Sequence, residues 1–535
     1  MAEIRKLKLT DPSEFTIEPV GELAARLGAS AARMNAPCYR PEAIYSADQA
    51  GWPGDWEGRT ILALVSLWNA TGTKPAYLDL IIEDFPKHLN AEGYLGPVRK
   101  SGDPFDEQQL SGHNWLVRGL IEYYLRTNDE AIREIILKIV INLYLPLKGN
   151  YASYPLDRAL RGDDGSGGYA GKVVGAAGMW KTSSDVGCAF MCLDALSQVY
   201  EVFRPAAVRE LLEEMIGVFS QIDFVGANMQ THATLSAVRG ILRFSEALGI
   251  ENADGNRFFE IGRNIFELYL REGMTQNYAN FNWFARNDTW TEPCAIVDSE
   301  MAALTLFRLT TEERYLTLAN RIRYNALGYA QRPGGGFGTD KCVGLPASAA
   351  SDPSAVSADY NPFLSPSGAG ISEAFWCCTM RGAEGLRSIA QHSLLIEPGV
   401  NGEPDILWLT FTTDLNAVAR RYRLSIRSGL PYSGSFAVNI SAFSEPVSLV
   451  LNIYTPEGII RRTAELEPGE TVTIDGDCTL EEKRERSSDG RKFIYFRGDL
   501  ILAEKAGTHE LSPLTDMIDL TPESAGSDRR RLLFD

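Results

Sequence analysis

The sequence predicts a mainly helical protein with a β domain at its C-terminal end: an (α/α)6 barrel followed by a β-sandwich. Three observations predict it. Between about residues 20 and 395, apolar residues recur at three- and four-residue spacing, in paired stretches divided by turn residues. Beyond about residue 400 the period falls to two, with short β-rich runs between turn signals. Of the 535 residues, 44% are hydrophobic, enough to fill one or two sizeable cores.

The helical pairs run in order as 58–72 with 76–90, 107–126 with 129–143, 183–201 with 205–220, 230–248 with 255–271, and 292–308 with 311–330. The last is 371–393, paired with an N-terminal helix near 20–34. The joints are alike: Asn69-Ala70-Thr71-Gly72-Thr73, Arg126-Thr127-Asn128-Asp129 and Leu309-Thr310-Thr311-Glu312 each precede a new helix. Repeated helical hairpins must stack to cover their apolar faces, and about twelve helices in this alternation suggest a toroid; an open solenoid satisfies the same periodicity. The strand region contains Asp405-Ile406-Leu407-Trp408-Leu409 and Val447-Ser448-Leu449-Val450-Leu451, with turns at Pro456-Glu457-Gly458 and Asp475-Gly476-Asp477. The expected organisation is an N-terminal segment (1–19) against the β domain, a barrel (20–398), a sandwich (399–510) and a polar tail (511–535).

A net charge of −18 works against binding to nucleic acid or anionic lipid and leaves neutral or cationic ligands as natural partners. The first ten residues lack the apolar core of a signal peptide, and no stretch approaches the roughly 20 apolar residues of a membrane span. A cytoplasmic protein is expected, with a homodimer left open. Eight unevenly placed cysteines make no disulfide framework. The Asp528-Arg529-Arg530-Arg531 run is read as a solvated terminus. Gly165 to Lys172 fails as a phosphate loop, because Ser166 stands where glycine is needed and Val173 replaces the Ser/Thr that holds magnesium.

Thiolates and carboxylates are good zinc ligands, and four complete a tetrahedron. Glu292 and Cys294 stand two residues apart in Thr291-Glu292-Pro293-Cys294, and Cys377-Cys378 are adjacent, each pair where an inner helix would begin. The residues alone leave two readings open, one metal site or buried apolar thiols.

Glu-Pro-Cys entering one helix, then Cys-Cys opening another (Cys377-Cys378-Thr379-Met380-Arg381-Gly382) ahead of a β-sandwich, resembles glycoside hydrolase family 127, the β-L-arabinofuranosidase-like proteins. The resemblance covers most of the chain in order and architecture. It implies Zn2+ held by Glu292, Cys294, Cys377 and Cys378, with Cys377 also the nucleophile of a retaining hydrolysis that removes a terminal sugar from a small oligosaccharide or glycoside. The family's general acid, a glutamate, is expected within 273–283, which contains no carboxylate; Gln276 stands near its position, Glu272 and Asp288 flank the gap, and Asp298, one helical turn beyond Cys294, is placed to face the same pocket. His113, His232, Asp55, Glu57, Trp115 and Asp185 lie at or near predicted helix starts and are expected to line the sugar pocket, and Trp180, Trp283 and Trp376 offer further stacking surfaces. Cys188 stands near a position where the family tends to place a histidine. The missing acid leaves room for a sugar lyase or isomerase in the same pocket, and a carbohydrate-binding protein with a structural zinc is a third reading.

Overall fold

The computed structural model describes residues 6–10, 14–46, 51–161, 171–351, 363–364, 373–486, 493–505, 511–513 and 530–532. Its helices, in chain order, are α1 (Gly21–Met34), the single turn α2 (Pro41–Ile44), α3 (Asp55–Thr71), α4 (Leu78–Asp84), α5 (Glu107–Thr127), α6 (Glu130–Ile139), α7 (Cys192–Phe203), α8 (Ala206–Phe219), α9 (Thr231–Leu248), α10 (Ala253–Glu272), α11 (Pro293–Thr310), α12 (Glu313–Ile322), the short α13 (Gly328–Ala330) and α14 (Cys378–His392).

Six of these, α3, α5, α7, α9, α11 and α14, each pack on the next, and α14 packs back on α3, so the ring closes. An open solenoid is thereby excluded. Inner helices are buried on nearly every side, as in α5, where every residue from Glu107 to Tyr123 is buried. Outer helices such as α6 bury one stripe, Ile132, Ile136 and Ile139, and leave the rest half-buried or exposed. Two glycines permit the tight ring: a Cβ on Gly58 would lie 2.0 Å from the Leu116 nitrogen, and one on Gly240 2.4 Å from the Leu193 carbonyl. The helix expected over 183–201 begins only at Cys192, because Trp180–Ser183 is a strand and Gly187, at φ +92, cannot continue a helix.

The β region holds two sheets face to face. One orders Thr16–Pro19, Leu415–Val418, Tyr422–Ser428, Phe436–Ala442 and Thr471–Gly476; the other orders Gly458–Leu466, Val447–Thr455, Asp405–Leu409 and Leu394–Glu397. Alternate residues such as Val438, Ile440, Leu449, Leu451 and Ile453 fill the space between them. Strands Glu482–Arg486, Phe493–Arg497 and Leu500–Lys505 form a third sheet, extended by Arg530–Leu532 and Phe363–Leu364, with Leu511–Pro513 paired to its Leu500–Lys505 strand. That sheet lies against the barrel: Ile494, Phe496 and Ile501 cluster with Val343, and Arg321 pairs with Glu485 at 2.5 Å. No helix among the described residues is long and apolar enough to cross a membrane. Most of the glycine-rich stretch before Lys172, and Asp528-Arg529 of the terminal run, lie outside the described residues.

Candidate metal centre

The starts of three neighbouring inner helices converge. Glu292 is the extended residue that caps α11, Pro293 follows at the first helical position, where no backbone N–H is missed, and Cys294 comes next. Cys377 caps α14 and Cys378 opens it. His232 is the second residue of α9.

The thiols of Cys294, Cys377 and Cys378 lie within 4.8 Å of one another, and so do ligand atoms of His232, Glu292 and Cys294. Cys377 Sγ stands 3.3 Å from Cys378 Sγ, and Cys294 Sγ 3.9 Å from Cys378 Sγ. This buried Cys/His/Glu group is able to bind a metal ion. Helix N-termini favour anionic ligands, and two of them point here. Hydrogen bonds from the other two thiols lower the Cys377 thiol despite its burial, whereas burial raises Cys294 and Cys378; the trio concentrates its negative charge on Cys377.

The carboxylate of Glu292 is held from both sides. His232 Nδ1 lies 3.1 Å from Oε1, and Asn282, with its amide turned to suit both neighbours, donates to Oε2 at 2.8 Å and accepts from Trp290 Nε1. The backbone nitrogen of Glu292 donates to Asn280 Oδ1 at 2.7 Å. His232 stacks on Trp115 with ring centroids 5.5 Å apart. Burial opposes its protonation, but Glu292, Cys294 and Asp298 outweigh that and raise it.

Below this layer lies a buried net of charges. Asp298 accepts from Ser236 Oγ at 2.6 Å, from Arg239 Nη1 at 2.5 Å and from Arg381. Arg118 joins Glu384 at 2.7 Å and Asp194 at 3.0 Å. Burial alone would raise the Asp298 carboxyl, but Arg381 and Arg239 hold it well below the usual carboxylate range.

These contacts correct several expectations. Asp298 is a locked anion under the site, unable to serve as the acid. Gln276 is buried, its amide nitrogen 3.5 Å from the Leu345 carbonyl and its stem against Gly344, and an amide donates no proton usefully. His113 does not face a pocket: Nδ1 meets the Gln109 carbonyl at 2.8 Å, Nε2 accepts from Leu95 N at 3.0 Å, and burial pushes it down to about 4. Trp115 is fully buried, a support for His232 and not a stacking surface for sugar. Asp55 spends both oxygens on Arg59 Nε at 2.9 Å. Glu57, two residues on, is turned about 200° away on the helix; its charge acts on Tyr45, whose hydroxyl donates to the Ile81 carbonyl. Asp185, in the loop entering α7, is 7% exposed and accepts from Gly171 N at 3.2 Å. Burial first, then the charge of Glu292, raise it to about 7. Trp180 and Trp283 are buried, whereas Trp376, beside Cys377, is 41% exposed. Cys188 is buried with its thiol 3.7 Å from Glu107 Oε2.

Two residues that hold the candidate ligands were not singled out by sequence: Arg59, whose Nη1 donates to Cys294 Sγ at 3.4 Å, and Asn282. Arg59 had a signal, an oppositely charged partner four residues earlier. Asn282 had none.

No family model matches this chain, and no curated protein matches it. In three dimensions it resembles solved glycoside hydrolases. A GH127 β-arabinofuranosidase aligns over 94% of this chain and 86% of its own, with a TM-score of 0.62 at 12% identity. The GH127 β-L-arabinofuranosidase Ara127N from Geobacillus stearothermophilus T6 aligns over 92% and 86%, with a TM-score of 0.60 at 12% identity. A protein described as a glycoside hydrolase aligns over 94% and 83%, with a TM-score of 0.62 at 10% identity. The chain has a family 127-like fold.

Proposed function

We propose that this chain, built on that fold, is a retaining glycoside hydrolase that releases a terminal, β-L-arabinofuranoside-like sugar from small glycosides, with Cys377 as nucleophile. The observation that carries the reading is the convergence of three thiols and a carboxylate at the starts of α11 and α14. Glu292, Cys294, Cys377 and Cys378 would hold the metal, and their sulfur-rich chemistry suits zinc. When bound, zinc would keep the sulfurs deprotonated at neutral pH.

Cys377 is the half-buried sulfur of the three. Its thiolate attacks the anomeric carbon, so a carbon–sulfur bond forms as the glycosidic carbon–oxygen bond breaks, and the departing oxygen takes a proton from an acid. Water, giving its proton to the conjugate base of that acid, then attacks from the face the leaving group vacated, opposite the sulfur, and the carbon–sulfur bond breaks to return the thiolate, so two inversions give retention. Asp185 suits the acid: it is raised to about 7, and its loop enters α7, three places round the ring from α14. Trp376 offers an exposed ring beside the nucleophile.

Two measurements test this. Dialysis against a strong chelator is expected to abolish turnover of aryl furanosides, and one equivalent of zinc to restore it; full activity in metal-free protein would refute the zinc role. In Asp185→Asn, kcat/KM is expected to fall by about 10²- to 10⁴-fold. Wild-type activity is expected to fall as pH rises through about 7, where Asp185 would lose its proton, and the variant should lack that limb. A variant that keeps both rate and limb would remove Asp185 from the role. Sugar binding without turnover of any glycoside by wild-type protein would favour a binding protein instead.

A further inference from the structure

The three thiols at the centre are not equivalent: the Arg59 charge reaches both Cys294 and Cys377, but its hydrogen bond goes to Cys294. Arg59, on the first turns of α3, is 6% exposed in its side chain. Both oxygens of Asp55 accept from its Nε at 2.9 Å, its guanidinium carbon lies 4.1 Å from the centre of the Trp115 ring, and Nη1 donates to Cys294 Sγ at 3.4 Å. Carboxylate, indole and sulfur therefore fix a planar cation in one orientation. Trp115 also carries His232, which meets Glu292. One indole thus supports the outer partners of both α11 ligands.

A thiolate that accepts a charged N–H bond has part of its electron density withdrawn, so it is a poorer nucleophile and a better-oriented ligand. Cys294 is fully buried, whereas Cys377 is half-buried. We infer that Arg59 is a positioning residue that makes Cys294 a spectator thiolate, leaving Cys377 as the sulfur free to react. The inference rests on the thiolate–metal reading above.

The test uses the full-length protein loaded with Co2+, whose thiolate-to-metal charge-transfer absorption reports sulfur donor strength. In Arg59→Met the band is expected to move to longer wavelength, because Cys294 regains electron density. Cobalt affinity, measured against a chromophoric chelator, is expected to fall by about 10- to 100-fold. Arg59→Lys, which keeps a cationic donor, should lie between wild type and methionine. Asp55→Asn loosens the clamp without removing the arginine and should shift the band the same way by less, which keeps the inference testable if Arg59→Met does not fold. An unmoved band and unchanged affinity in folded Arg59→Met overturn the inference alone, as does an unmoved band in Asp55→Asn should the methionine variant be unfolded. A wild-type protein that shows no charge-transfer band with Co2+ overturns both this inference and the metal reading beneath it.

Discussion

Cys377→Ala is expected to lose glycoside turnover by a factor on the order of 10⁴ to 10⁶, the scale on which removing a nucleophile acts. The size follows from the geometry. Cys377 caps α14, its sulfur is the half-buried one of the three, and its negative charge is favoured by two neighbouring thiols. Removing it also removes one proposed metal ligand, so metal content must be measured alongside rate. Cys377→Ser makes that separation, keeping a small polar side chain at the same place. A second readout is intact mass: wild-type protein quenched during turnover of a slow aryl furanoside should carry one sugar on the peptide containing Cys377, and the variant none. Retention of turnover within tenfold of wild type in metal-loaded Cys377→Ala would remove it from the role.

Asp298→Ala is expected to destabilise the fold by about 3–5 kcal/mol, the cost of breaking a buried ion pair by removing one partner. Asp298 accepts from Arg239, Arg381 and Ser236, and both arginines are buried. The alanine leaves two cations sharing Asp194 and Glu384 with Arg118. The pH dependence has a definite sign. Because the folded carboxyl is held well below its ordinary value, its stabilisation is complete above the unfolded value of about 3.9 and is lost as pH falls further. The stability gap between wild type and variant, measured by urea unfolding, should be constant from pH 5 to 8, within the two-state approximation, and narrow below about pH 4. An unfolding midpoint unchanged by the substitution at neutral pH would show that the charges are not coupled.

How much of this was legible in the chain varies with how local each feature is. All twelve expected helical stretches overlap a helix, α1, α3 to α12 or α14, because the period that marks them is carried within single turns. The late start of α7 depends on Gly187 and on a strand whose partner, Val173–Ala177, is a separate run. The ligand candidates were legible because residue type and place at a helix start are both local. Asp298 shows the limit of that reasoning: four residues beyond Cys294 correctly gives a shared helix face, but one turn on it lies among the arginines of α9 and α14. His113 failed differently, since its partner Leu95 comes from a preceding loop that its own helix does not foreshadow.

By itself, therefore, the sequence determined the helical alternation, the change to strands after about residue 400 and the identities of Glu292, Cys294, Cys377 and Cys378 as candidate ligands. Only the tertiary structure decided that the ring closes, that Arg59 bonds one thiol of the three, and that Asp298 is held ionised where Asp185 is raised. The physical reason is range. Periodicity and capping act over a few residues of one chain segment, whereas burial and Coulomb interaction depend on which distant segments fold into the same few ångströms.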